Sequence, residues 1–80
     1  MYDVYRLRSV RFSERGYVGL SGDLRQRLRD HNRGCCDDTR AFRPWEIAFY
    51  AAFRDEGKAQ AFEAYLKSGS GIAFGRKRLW

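Results

Sequence analysis

"YVGLSGDLRQRLRDHNRG", residues 17–34, joins the end of a short apolar run to a segment carrying four arginines and the chain's only histidine. Asp23 is placed to cap a helix, and Gln26, three residues on, can reach back to it in a capping box. Asn32 to Gly34 supply the stop. At about 100° per residue with Leu24 at zero, Leu28 falls near 40°, His31 near −20° and Arg27 near −60°, so Arg27 and His31 flank the buried stripe. Arg25 and Arg29, near about 100° and 140° by the same geometry, turn toward water. Arg27 and His31 are also i, i+4 neighbours whose heads can converge on one point. Two uses are open for such a helix: a solvated basic face with a satisfied histidine, or a place for a phosphodiester.

Upstream, "YDVYRLRS" (2–9) mixes β-forming residues with alternating polar positions, and "RFSERG" breaks the run before "YVGL", which reads as a hairpin carrying Tyr5 and Tyr17 on its two strands. Downstream, the irregular residues after Gly34 run without clear periodicity to Pro44. "WEIAFYAAF" then alternates Trp45, Ile47, Phe49, Ala51 and Phe53 with the residues between them, a third strand with one apolar face. A second helix is expected from about Glu56 to Lys67, with Ala59, Phe62 and Leu66 as its buried stripe. On that helix Glu63 falls about 100° from Phe62, at the margin of the stripe, where an acid needs a cation or a metal beside it. "SGSG" (68–71) ends the helix, and "IAFGRKRLW" forms a short closing helix or turn. The order β-β-α-β-α plus a C-terminal element predicts an α/β fold, a small three-stranded sheet covered by helices.

Eighty residues with no repeat and no linker make one domain, residues 1–80, with a thin core in which thirteen Phe, Tyr and Trp residues do most of the filling. The formal charge is +6, and 13 of the 16 basic residues are arginine, whose rigid fork matches phosphate oxygens, so nucleic acid is the expected partner. No stretch reads as a membrane span or a secretory leader, and a cytoplasmic protein is expected. Cys35 and Cys36 are adjacent, which excludes a spaced disulfide framework, and with His31 they are too few for a zinc site.

Five blocks in register, "DVYRLRS" (3–9), "YVG" (17–19), "GDLRQRLRDHNRG" (22–34), "RPWEIAFYAAF" (43–53) and "EAYLKSGSG" (63–71), resemble the GIY-YIG nuclease superfamily. The likeness is to its small stand-alone members, which are similar to the N-terminal nuclease module of the excision-repair enzyme UvrC. The resemblance implies a three-stranded antiparallel sheet flanked by helices and a metal-dependent endonuclease site on DNA, with a role in repair. It implies that Tyr5 and Tyr17 enter the site from adjacent strands, one of them activating water. Arg27 and His31 join them one helix turn apart, and Glu63 holds Mg²⁺ or Mn²⁺. One carboxylate is enough for Mg²⁺, which fills its octahedron with water and phosphate oxygens. The expected nucleic-acid contacts are Arg25, Arg29, Lys67 and Arg76. Leu20 and Ile72 stand where relatives carry cations, and Asp3-Val4-Tyr5 replaces Gly-Ile-Tyr while keeping the tyrosine. The rival readings are a binding module of the same fold with little catalysis, and an interaction domain that needs a protein partner or a second copy.

Overall fold

The computed structural model describes residues 1–80. Strand β1 (Tyr2–Ser9) turns back into β2 (Gly16–Ser21), and β3 (Trp45–Phe53) pairs with the other edge of β1, so the sheet is antiparallel with the order β2-β1-β3. The central strand therefore sends alternate side chains to two faces. Val4 joins Ala59 and Leu66 on one face, while Tyr5 and Leu7 join Trp45 on the other. The helices divide accordingly. Leu24 and Leu28 of α1 (Leu24–Arg33) pack on the Tyr5 face, and α3 (Glu56–Lys67) covers the Val4 face. The elements number seven: α2 (Asp37–Arg40) lies between α1 and β3, and α4 (Gly69–Arg78) follows α3. The expected α/β fold of three antiparallel strands flanked by helices is the one observed.

Three local readings change. The segment taken as irregular, between Gly34 and Trp45, contains α2, whose first turn carries Asp37 and Asp38, acids that suit a helix N-terminus. The third strand does not keep one apolar face. Its register against β1 slips between Arg6 and Leu7, so that Leu7 opposes Ile47 while Arg6 opposes Phe49. This bulge sends Trp45 and Ile47 to the Tyr5 face and Phe49, Ala51 and Phe53 to the Val4 face. Lastly, "SGSG" ends α3 as expected, but the closing helix already begins within it, at Gly69. Ser68 closes α3 through its N–H to the Tyr65 carbonyl and opens α4 by accepting the Gly71 N–H on its hydroxyl.

The helix ends follow their caps. Asp23 accepts the Gln26 N–H at 3.1 Å, but the Gln26 side chain turns forward to Asp30 and Arg29 instead of back, and the Asp23 N–H goes to the Ser21 hydroxyl. At the other end Gly34 takes φ 82°, a left-handed conformation natural to glycine, and its N–H and that of Cys35 bond the carbonyls of His31 and Asp30. No helix is long and apolar enough to cross a membrane.

Only 12 of 80 residues are buried, so each face depends on a few fully enclosed side chains. Leu66 is one of them, with no exposed surface, while Ile47, on the bulged segment, is 37% exposed. Leu66→Ala is expected to cost about 2–5 kcal/mol in urea unfolding, and Ile47→Ala less than about 1 kcal/mol. Equal losses would contradict the bulged register.

Candidate active site

Tyr5 lies at the centre of the sheet with 1% of its surface exposed, directly opposite Gly19 of β2. A Cβ at position 19 would strike the Tyr5 hydroxyl and ring, so the glycine of "YVG" is what lets the phenol lie flat across the neighbouring strand. From α1, which begins three residues past β2, His31 reaches the same point. Its Nε2 is 3.1 Å from the Tyr5 hydroxyl, and its Nδ1 is 2.8 Å from the Thr39 hydroxyl on α2. All three residues are almost wholly enclosed.

The hydrogen-bond direction follows from the last link. The Thr39 hydroxyl donates to the Cys36 carbonyl at 3.4 Å, which leaves its oxygen to accept from Nδ1–H of His31. Nε2 is then the unprotonated nitrogen and accepts from Tyr5. With its proton committed to His31, the Tyr5 oxygen has its lone pairs free, and the positive charge of Arg27 is close enough to act on it. Removing one buried partner of such a chain costs about 1–3 kcal/mol through the polar atom left unpaired.

Burial raises the Tyr5 phenol above its ordinary value, and Arg27 offsets only part of that, so the hydroxyl is held in its protonated form. Burial likewise holds His31 below the usual imidazole value, with the Arg27 charge adding to the effect, and the ring is neutral at pH 7. The contact with Tyr5 strengthens the charged state of Arg27, whose Nε is buried with no hydrogen-bond partner.

Tyr17 completes the group. Its ring centroid lies 5.0 Å from that of His31 and 6.5 Å from that of Tyr5. It is half-buried, and its hydroxyl makes no hydrogen bond within the protein. The structure thus brings together Tyr5, Tyr17, Arg27 and His31. Arg25 and Arg29 stand in solvent on the outer side of α1, as their helical angles required.

Glu63 is not part of this cluster. It belongs to α3, on the Val4 face, and its carboxylate pairs with Lys67 at 3.3 Å. No three His, Cys, Asp or Glu side chains gather into a metal-binding group. The donor set does fit an ion that takes one carboxylate and several waters, because Glu63 is 24% exposed and its only ionic partner is a half-exposed lysine. Leu20, expected at a site position, packs against the Val4 cluster. The residue that sequence reasoning missed is Thr39. The signal for it was the acidic pair Asp37-Asp38, which marks the start of the short helix that presents it.

The GIY-YIG catalytic domain profile matches residues 1–73. The chain belongs to the GIY-YIG family of nucleases. It is also similar to a UPF0213 protein of Clostridium perfringens (strain 13 / Type A), at 33% identity over 52 residues, which is 64% of this chain and 56% of that relative's length.

The neutral, enclosed state of His31 has a measurable consequence. Its folded-state affinity for a proton is below the ordinary one, so the unfolded chain binds more protons as pH falls through the usual imidazole range near 6.5. Stability is therefore full above that range and declines as pH drops through it. Urea unfolding between about pH 7.5 and 5 should show this loss, and the His31 ring protons should titrate with a midpoint below the ordinary imidazole value. A midpoint at or above that value would contradict the assigned tautomer and burial.

Proposed function

We propose that this chain is a metal-dependent endonuclease that hydrolyses phosphodiester bonds in DNA, with Tyr5, Tyr17, Arg27, His31 and Glu63 as its working residues. The observation that carries the reading is the gathering of Tyr5, Tyr17, Arg27 and His31 at one place, with His31 bonded at one nitrogen to Tyr5 and at the other to Thr39.

Hydrolysis requires a proton acceptor for the attacking water and positive charge where the phosphorane forms. His31 has no exposed surface and so acts through Tyr5, as the acceptor that keeps the Tyr5 oxygen turned to Arg27. Arg27 is then held for the phosphate, with its orientation settled before substrate arrives. Tyr5 is too enclosed to meet the attacking water. Tyr17, with its hydroxyl unengaged and Arg27 at hand, is the tyrosine that takes the water's proton: its own phenolic proton goes first to solvent, Arg27 offsets the phenolate charge, and the phenolate then accepts the proton of the attacking water. Burial of Tyr5 supports this division of labour between the two tyrosines.

Glu63 would hold the divalent cation, Mg²⁺ or Mn²⁺, which supplies charge to the phosphate oxygens and the leaving group. Displacing Lys67 costs little, since an i, i+4 pair of this exposure contributes roughly 0.3–0.5 kcal/mol. Strand β2 is an edge strand with Tyr17 on one face and α3 on the other, so a phosphodiester along that edge meets both sides. Arg25, Arg29 and Lys67 are exposed and suited to backbone contact with DNA. The fold family and the charge favour a nucleic-acid substrate, and DNA repair is the role proposed for the chain.

A second reading rests on the Glu63–Lys67 pair: a nucleic-acid-binding module of the same fold with weak or no catalysis, working with a partner. One assay separates the two. End-labelled single-stranded, duplex, flap and four-way DNA are incubated with protein in Mg²⁺ or Mn²⁺, beside EDTA controls. Cleavage is expected to vanish in EDTA and to fall at least about 100-fold in Tyr17→Phe, Arg27→Ala and Glu63→Ala. Salt-sensitive binding without cleavage on every substrate would replace the nuclease with the binding module.

A further inference from the structure

On the Val4 face, the end of the β1–β2 hairpin and the last turns of α4 enclose a groove of about 620 Å³, lined by Arg6, Arg8, Arg15 and Arg76 with Ile72 and Trp80. Glu14 is its one acidic lining residue. Arg6 is the unusual member. It occupies the β1 row of Tyr2 and Val4, with Val18 and Phe49 as its cross-strand neighbours, where an apolar residue would be the ordinary choice. Its guanidinium carbon sits 4.3 Å from the Trp80 ring centroid, over the indole. Gly16 leaves the space for it, since a Cβ there would overlap the guanidinium.

Arg6 has no carboxylate partner, and its buried Nε makes no hydrogen bond. Burial and the charges of Arg76 and Arg8 all press its charged form downward in stability. Of the other three, only Arg8 is neutralised, by Glu46 at 2.9 Å, in a pair that is about half exposed. A half-buried cation surrounded by like charge and lacking a counterion is costly unless an anion arrives to complete it.

We propose that this groove is a second phosphate-binding site, taking the sugar–phosphate backbone of nucleic acid on the side of the sheet away from Tyr5. The arginines enter the groove from β1, from the end of the hairpin and from α4, a set of charges that suits a polyanion. Their planar forks suit phosphate oxygens, and the nuclease family makes a nucleic acid the polyanion this chain meets. Among the four, Arg76 was expected from the sequence as a nucleic-acid contact; Arg6, Arg8 and Arg15 are added by the fold.

The test uses ¹⁵N-labelled protein titrated with a single-stranded oligothymidine in EDTA, where no bond is cut. Of the two indole N–H signals, that of Trp80 is expected to move with the Arg6 Nε–H. The Trp45 indole, which is buried and donates to the Thr39 carbonyl, is expected to stay. Arg76→Gln, at an exposed helix position, and Arg6→Gln should each weaken binding about 3- to 10-fold and lower the salt slope by about 0.7. A Tyr17→Phe protein should show the same Trp80 shift, which keeps this result separate from any loss of cleavage. Unchanged affinity and salt slope in Arg76→Gln and in a folded Arg6→Gln would overturn the proposal. Equal displacement of the oligonucleotide by polyglutamate would overturn it in favour of an acidic polypeptide.

Discussion

The alternation of β1 is the constraint on which the rest depends. With one strand on each side of it, β1 is the only strand whose backbone is paired along both edges, and its neighbouring residues serve opposite faces. Val4 anchors α3, Tyr5 anchors the cluster of Tyr17, Arg27 and His31, Arg6 faces the arginine groove, and Leu7 supports Trp45. A one-residue slip of this strand would exchange all four roles together. The chain thus obtains two chemically different surfaces from eight consecutive residues. The cost is that neither surface has a deep core behind it.

The Tyr5 face compensates with polar connections. The His31 ring is bonded at both nitrogens, and Asn32, the next residue, bonds both the N–H and the carbonyl of Trp45. Two adjacent residues of α1 therefore tie that helix to β1, α2 and β3. In a thin core these bonds fix orientation more tightly than apolar contact alone, because each has a preferred direction. The Val4 face is held differently, by aromatic contacts among Phe49, Phe53, Phe62 and Tyr65. Glu63 emerges from the face that is packed, while Arg27 emerges from the face that is hydrogen-bonded.

Much of this was legible before any coordinates. The bounds of β1 and α3 follow from alternation and from the Ala59, Phe62, Leu66 stripe, and the helical angles separate Arg27 and His31 from Arg25 and Arg29. What local pattern could not supply was long-range pairing. The β3 alternation looks uninterrupted along the chain, and the bulge exists only because β1 must oppose it in register. Helical angles likewise placed Glu63 at a margin but could not tell which face of the sheet α3 would cover. Asp37 and Asp38 could mark the helix that carries Thr39 but not its role, since the Thr39 hydroxyl acquires meaning only when α2 folds back against His31.

Ser68 has a consequence of its own. Its hydroxyl both donates to the Tyr65 carbonyl at 2.6 Å and accepts the Gly71 N–H at 3.1 Å, so one side chain ends one helix and begins the next. The two helices share a joint with no slack residue in it. Loosening the last turn of α3 removes the starting point of α4, and with it the bearing of Arg76 and Trp80 against Arg6. Thermal fraying at the Lys67–Ser68 junction would then be felt as a change in groove width about ten residues away, an elbow that transmits motion between the helix carrying the acid and the surface carrying the arginines.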